Sequence, residues 1–243
     1  MTYCVAIRVG EGLVMLSDTR TNAGIDSISK FKKMFVWDVP GERSLCMMTA
    51  GNLSITQSVM TLLQERIDDD TFTGETILTA ANLYRCAEVI ASTMTEVMNR
   101  YSLGISNAGE SAASSIILSG QTKGDSPRLF MIYSAGNFIE ATDDTTFFQI
   151  GGFKYGKPIL DRVISTETTL EDAKTAAFLS MDSTLRSNLS VGMPLDLCVL
   201  EADTLSFSEF RRIEAEDQNF HALSEAWSNA IRDAFVSMRE MPK

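Results

Sequence analysis

The chain opens Met1-Thr2-Tyr3-Cys4-Val5-Ala6-Ile7-Arg8-Val9, turns at Gly10-Glu11-Gly12, and continues Leu13-Val14-Met15-Leu16-Ser17-Asp18. Residues 5–7 and 13–16 are short apolar runs, and the two glycines between them are a turn signal. The pair therefore reads as a β-hairpin. Both strands are apolar at nearly every position instead of alternating, which predicts a sheet covered on both faces. The hairpin starts almost at the first residue, with no basic leader and no long apolar run. From this we expect neither a signal peptide nor a propeptide.

Working outward, residues 34–39 and 45–49 form a second strand pair around Pro40-Gly41-Glu42. Apolar residues then recur at Ile55, Val59, Leu62, Leu63 and Ile67, at helical spacing, with Asn52 and Ser54 as candidate N-caps. A second helix is expected over residues 75–101, ended by the stretch 104–109. Strands follow at 115–118 and 129–133, a turn at Ser134-Ala135-Gly136-Asn137, and strands at 138–141 and 147–150. Gly151-Gly152 leads to helices near 157–164 and 170–189, then strands at 196–201 and 205–210. Strands, two helices, strands, two helices and strands again predict an α+β fold, a four-layer αββα sandwich. We read residues 1–243 as one domain with an added helix at 217–238. There Phe220, Leu223, Trp227, Ile231, Phe235 and Met238 fall three and four apart, so the helix is amphipathic. It either packs on its own domain or covers a neighbouring subunit.

Composition narrows the function. The chain has 243 residues, 32 acidic against 21 basic, for a formal charge of −11. Such a chain repels phosphate backbones, so nucleic acid is not an expected partner. No apolar run is long enough to cross a bilayer, so no membrane partner is expected either. Cys4, Cys46, Cys86 and Cys198 are scattered without a C-x-x-C, which fits free thiols in a reducing, cytoplasmic compartment. His221 is the only histidine, which argues against a multi-histidine metal site. Asp68-Asp69-Asp70 lacks the spacing and glycine of a calcium loop and reads as a solvated helix end. No metal site and no cofactor are expected.

The first 51 residues hold one candidate for each part of a nucleophilic mechanism. Removal of Met1 before the small Thr2 would leave a residue carrying both a hydroxyl and an α-amine. An unperturbed α-amine titrates at about 7.7–8.0, so such a group can serve as the base without a histidine. With the hairpin turn centred on Glu11, Asp18 falls opposite Cys4 and becomes a diagonal neighbour of Thr2, roughly 7–8 Å away. A two-residue turn would shift that register by one and send Asp18 to the other face. Lys33 would favour the alkoxide and hold the amine neutral, with Asp18 orienting it. Gly51, closing Thr49-Ala50-Gly51-Asn52, would offer a backbone N–H to an oxyanion.

Ser17-Asp18-Thr19-Arg20-Thr21-Asn22-Ala23-Gly24, then Lys32-Lys33, then Thr49-Ala50-Gly51 resemble the signature of proteasome β-subunits. The resemblance covers roughly residues 2–210. The early start, the extra C-terminal helix and Val39-Pro40-Gly41-Glu42-Arg43 are similar to the bacterial Anbu, or ancestral β-subunit, family. This resemblance implies an N-terminal nucleophile hydrolase fold and threonine-type peptidase chemistry on a peptide or unfolded-protein substrate. It also implies assembly into a homo-oligomer. It matches Thr2 to the nucleophile, Asp18 and Lys33 to its charge partners and Gly51 to the oxyanion donor. Thr21, Phe31, Thr49 and Leu53 match the pocket for the residue before the scissile bond. Ser190 matches a serine that orients the amine. Its usual partner aspartate is replaced by Ser187, and a second supporting serine by Gly152, which weakens the electrostatic support of the amine. A non-peptide amidase of the same fold and a weak or inactive self-assembling scaffold are the alternative readings.

Overall fold

A computed structural model describes residues 2–22 and 28–239. The elements in chain order are β1 (Tyr3–Val9), β2 (Gly12–Asp18), β3 (Arg20–Asn22), β4 (Ile28–Lys30), β5 (Met34–Val39), β6 (Arg43–Gly51), α1 (Leu53–Asp68), α2 (Leu83–Asn107), β7 (Ser114–Thr122), β8 (Arg128–Tyr133), β9 (Phe138–Glu140), β10 (Phe147–Gly151), α3 (Lys157–Val163), α4 (Leu170–Ser187), β11 (Leu195–Glu201), β12 (Phe207–Ile213) and α5 (Gln218–Arg239). One antiparallel sheet runs β10-β1-β2-β11-β12 and the other β5-β6-β7-β8-β9, with β3 and β4 as a separate two-stranded ribbon. The two five-stranded sheets stack face to face, as expected for an αββα sandwich.

Three apolar clusters mark the layers. Ile55, Val59, Ile90 and Met94 of α1 and α2 pack on Leu45, Met47 and Leu118 of the second sheet. Cys4, Ala6, Met15, Cys46, Met48 and Ile117 fill the space between the sheets. Val5, Ile7, Val14 and Leu16 meet Leu160, Ala173, Ala177 and Met181 of α3 and α4. The hairpin strands are thus buried on both sides, which is why they lack alternation.

The hairpin register differs from the one expected. Cys4 pairs with Ser17 and Val9 with Gly12, so Gly10-Glu11 form a two-residue turn. Asp18 lies one step beyond Ser17, level with Tyr3 instead of Cys4. Alternation pins a register only when one face is polar, and here both faces are apolar. The shorter turn is the common one for twisted hairpins.

Other boundaries move for local reasons. The second long helix begins at Leu83, not near residue 75. Thr76 and Thr79 bond each other and the backbone of residues 76–79, holding a turn there. Asn82, in extended conformation, then accepts the Arg85 N–H at 3.0 Å and starts α2. The helix also continues through Gly104 to Asn107. The last strand is β12, Phe207–Ile213, instead of 205–210, because Asp203 and Leu205 adopt positive φ and prolong the turn. The ribbon β3–β4 was not anticipated.

The first part of helix α5 packs on its own domain. Phe220 and Leu223 pack against the core beneath α4, and the Phe220 ring meets Phe178 edge-on at 5.9 Å. Ser224 ties it to Asp182 at 2.6 Å and to Arg186 at 2.7 Å. Beyond that, Ile231, Phe235, Val236 and Met238 are exposed. No helix among the described residues is long and apolar enough to cross a membrane.

Candidate active site

Thr2 stands just ahead of β1 and is half-buried. Alternate strand residues point the same way, so Thr2 shares the face of Cys4 and Ala6, toward the space between the sheets. Its carbonyl accepts the Gly152 N–H at 2.6 Å, which fixes the chain start against the end of β10.

Asp18 has no exposed surface, and Lys33 is 3% exposed. Lys33 Nζ lies 2.7 Å from Asp18 Oδ1 and also donates to the Arg20 carbonyl. Asp18 Oδ1 accepts the Tyr3 N–H at 3.0 Å, and Oδ2 accepts the Gly192 N–H at 3.2 Å. The carboxylate therefore reaches Thr2's neighbour through the backbone. Burial raises the Asp18 pKa above its usual value, opposed by the Lys33 charge and the Tyr3 and Gly192 N–H groups. The Cys4 thiol is pushed well above its usual range by burial, against the lowering effect of Lys33. A thiol so held is a poor nucleophile.

Gly51 ends β6 at the surface, with φ +106°. A Cβ there would sit 2.2 Å from the Ala113 carbonyl oxygen, so the corner requires glycine. Asn52 then caps α1, accepting from the Ser54 and Ile55 N–H groups at 3.0 and 3.3 Å. Thr49 is buried on β6, and its N–H donates to the Lys33 carbonyl at 3.0 Å. The Phe31 N–H donates to the Thr19 carbonyl at 3.0 Å. Thr21 lies on β3 opposite Ser29, and Leu53 is the first residue of α1. The fold thus joins Asp18 to Lys33 directly and ties Thr49 to Lys33 through the backbone. Thr21, Phe31 and Leu53 lie on three different segments.

The segment 188–192 closes the other side. The Ser190 N–H donates to Asn188 Oδ1 at 3.1 Å. Ser187, at the last turn of α4, is exposed. A Cβ on Gly152 would meet Asn188 Nδ2 at 2.8 Å, so the asparagine occupies the space a larger residue 152 would need. Arg20 Nη1 donates to the Leu189 carbonyl at 3.1 Å, and its guanidinium lies where a Cβ on Gly192 would fall. Tyr3 adds a buried hydroxyl bonded to Ser180 at 2.5 Å and to Gln149, with its pKa pushed up to about 12 by burial. Asn188, Arg20 and Tyr3 were missed as candidates. Only the glycines at 152 and 192 hinted that something bulky approaches the backbone there. Among the described residues, no group of three or more His, Cys, Asp or Glu is placed to hold a metal ion.

Comparison with known proteins agrees with this architecture. The family model described as Proteasome subunit matches residues 2–200. An Anbu Gly-1 mutant from Hyphomicrobium sp. strain MC1 is 48% identical with a TM-score of 0.91, covering 99% of this chain and 100% of that one. Anbu from Yersinia bercovieri is 44% identical with a TM-score of 0.90, over 99% and 98% of the two chains. A helical assembly of the Anbu complex from Pseudomonas aeruginosa is 46% identical with a TM-score of 0.91, over 99% and 97%. A proteasome subunit beta of Haloquadratum walsbyi is 27% identical over 90 residues, a match spanning only 37% of this chain and 36% of that relative's length. With a family match over residues 2–200 and chain-long likeness to the Anbu structures, the chain belongs to the Anbu branch of the proteasome subunit family.

Proposed function

We propose that the protein is a cytoplasmic N-terminal threonine hydrolase that cleaves peptide bonds with Thr2, exposed by removal of Met1. The Thr2 hydroxyl attacks the substrate carbonyl while its α-amine takes the proton. The Gly51 N–H stabilises the oxyanion. The ammonium then returns its proton to the leaving amine, and water releases the ester. Lys33 favours the alkoxide, and Asp18 anchors Lys33. Ser190 helps orient the amine, and Thr21, Phe31, Thr49 and Leu53 line the pocket for the residue before the scissile bond.

One observation carries this reading: a lysine–aspartate pair 2.7 Å apart, almost fully buried, and bonded to the amide next to Thr2. Burying two charges costs several kcal/mol per ion before their attraction is counted, so such a pair is a poor device for stability alone. A buried carboxylate with a perturbed pKa, paired with a buried cation, is a common feature of functional sites.

The protein acts as a homo-oligomer in this reading. The helical assembly of the Pseudomonas aeruginosa relative supports this, as does the uncovered apolar face of Ile231, Phe235 and Met238. A second reading, a self-assembling scaffold with a weak site, is favoured by the exposed Ser187 and by Gly152. Labelling with a threonine-directed β-lactone separates them. Adduct formation on the intact chain and not on Thr2→Ala supports the hydrolase, and equal labelling of both sinks it.

A further inference from the structure

Asn188 has no role in the mechanism set out above, yet it is only 7% exposed and stands where two segments of the candidate site meet. It ends α4. Its N–H donates to the Thr184 carbonyl at 2.9 Å, and its extended backbone, φ −136° and ψ 100°, turns the chain out of the helix. Its side-chain Oδ1 then accepts the Ser190 N–H at 3.1 Å, and its carbonyl accepts the Val191 N–H at 3.0 Å. An asparagine that bonds the backbone two residues on is a turn-former. Asn188 thereby shapes the turn that carries Ser190.

The amide nitrogen reaches a different neighbour. Nδ2 lies 2.8 Å from the point where a Cβ on Gly152 would fall, and that point is 3.6 Å from the Thr2 carbonyl oxygen. The Gly152 N–H holds this same oxygen at 2.6 Å. One buried amide therefore meets the Ser190 turn with its oxygen and the residue that holds Thr2 with its nitrogen. The glycine at 152 has no conformational cause of its own. Gly151 has φ +83°, which favours glycine, whereas Gly152 is not among the glycines of positive φ. What a side chain at 152 would displace is the Asn188 amide, and with it the bond to Ser190. The same turn is also held by Arg20, on the Leu189 carbonyl, and by Asp18, which accepts the Gly192 N–H.

We propose that Asn188 is a positioning residue for the Thr2 terminus: its amide locks the turn bearing Ser190 onto Gly152, in the space that a side chain on residue 152 would fill. The inference rests on the hydrolase reading and extends it, because it supplies a support for the terminus that neither Ser187 nor Gly152 provides.

Asn188→Asp tests the placement. It keeps the acceptor for Ser190 and sets a negative charge against residue 152, which favours the ammonium form of a nearby amine. Trace acetylation of the Thr2 α-amine, followed from neutral to alkaline pH, reads the amine pKa whether or not the chain is an enzyme. That pKa should rise by about one pH unit in Asn188→Asp. Labelling of Thr2 by the β-lactone should slow about tenfold near neutrality and recover at high pH, where a merely structural defect would slow it throughout. Gly152→Ala tests the pairing. Alone it displaces the amide and should slow labelling about tenfold, but added to Asn188→Ala it should change the rate by less than about twofold. An amine pKa that Asn188→Asp leaves in place, or Gly152→Ala and Asn188→Ala losses that multiply, overturns the assignment. An adduct on Thr2 with an unmoved amine pKa keeps the hydrolase reading and removes Asn188. A raised amine pKa with no adduct keeps Asn188 at the terminus and removes the hydrolase reading.

Discussion

Asp18 and Lys33 bear the electrostatic load at the residue scale. Lys33→Ala leaves the Asp18 carboxylate buried with only backbone donors, which should cost roughly 3–5 kcal/mol at neutral pH. Urea unfolding measures this, and a loss below about 1 kcal/mol, typical of a surface pair, would contradict the buried geometry. The pH dependence has a definite sign. Burial raises Asp18 above its ordinary 3.8 in the folded state. Its contribution to stability is therefore fully present below 3.8 and is lost as pH rises through the folded value. The urea midpoint of the natural chain, relative to Asp18→Asn, should fall across that interval. A relative midpoint that climbs instead would mean that the ion pair lowers the Asp18 pKa. The residue types of this pair were legible because a hydroxyl–amine terminus needs a cation and a counter-ion. Their contact could not be read from spacing. Asp18 meets Tyr3 through its side chain at the strand end, in a register one residue away from the expected one.

Local pattern and tertiary demand part company at the scale of elements. Helix α1 was legible from its apolar spacing, and of the two candidate caps, Asn52 and Ser54, the structure uses Asn52. Removing that cap with Asn52→Ala should cost about 1 kcal/mol, read from thermal unfolding. The corner before it is less forgiving. Gly51→Ala places a Cβ 2.2 Å from the Ala113 oxygen at φ +106°, with an expected loss of about 2–4 kcal/mol from strain and overlap together. A variant as stable as the natural chain would show that the corner relaxes freely. The start of α2 was misplaced because residues 75–82 carry apolar positions at helical spacing, while the Thr76 and Thr79 hydroxyls bond the backbone into a turn. Side-chain bonds of this kind compete with helix without disturbing the apolar pattern. The β3–β4 ribbon, three residues a side, is too short for alternation to register.

Over the whole molecule, the layer order was legible because helices arrive in pairs between groups of strands, and a sheet buried on both faces needs cover on each. The distal half of α5 was not resolvable in the same way, since an amphipathic stripe does not say whose surface it covers. Phe235 is 69% exposed and Met238 63%, so this half gains nothing from its own chain. Truncation after Ser228 should leave the unfolding midpoint nearly unchanged and lower the sedimentation coefficient to that of a smaller species. An unchanged assembly would place the contact elsewhere.

The account stands or falls on Thr2 as a free terminal nucleophile. Intact-mass analysis of the chain from its native cells, before and after β-lactone treatment, examines this directly. We predict a chain lacking Met1 that gains one adduct mapped to Thr2, and no adduct on Thr2→Ala. Retention of Met1, or an adduct that persists in Thr2→Ala, would contradict it.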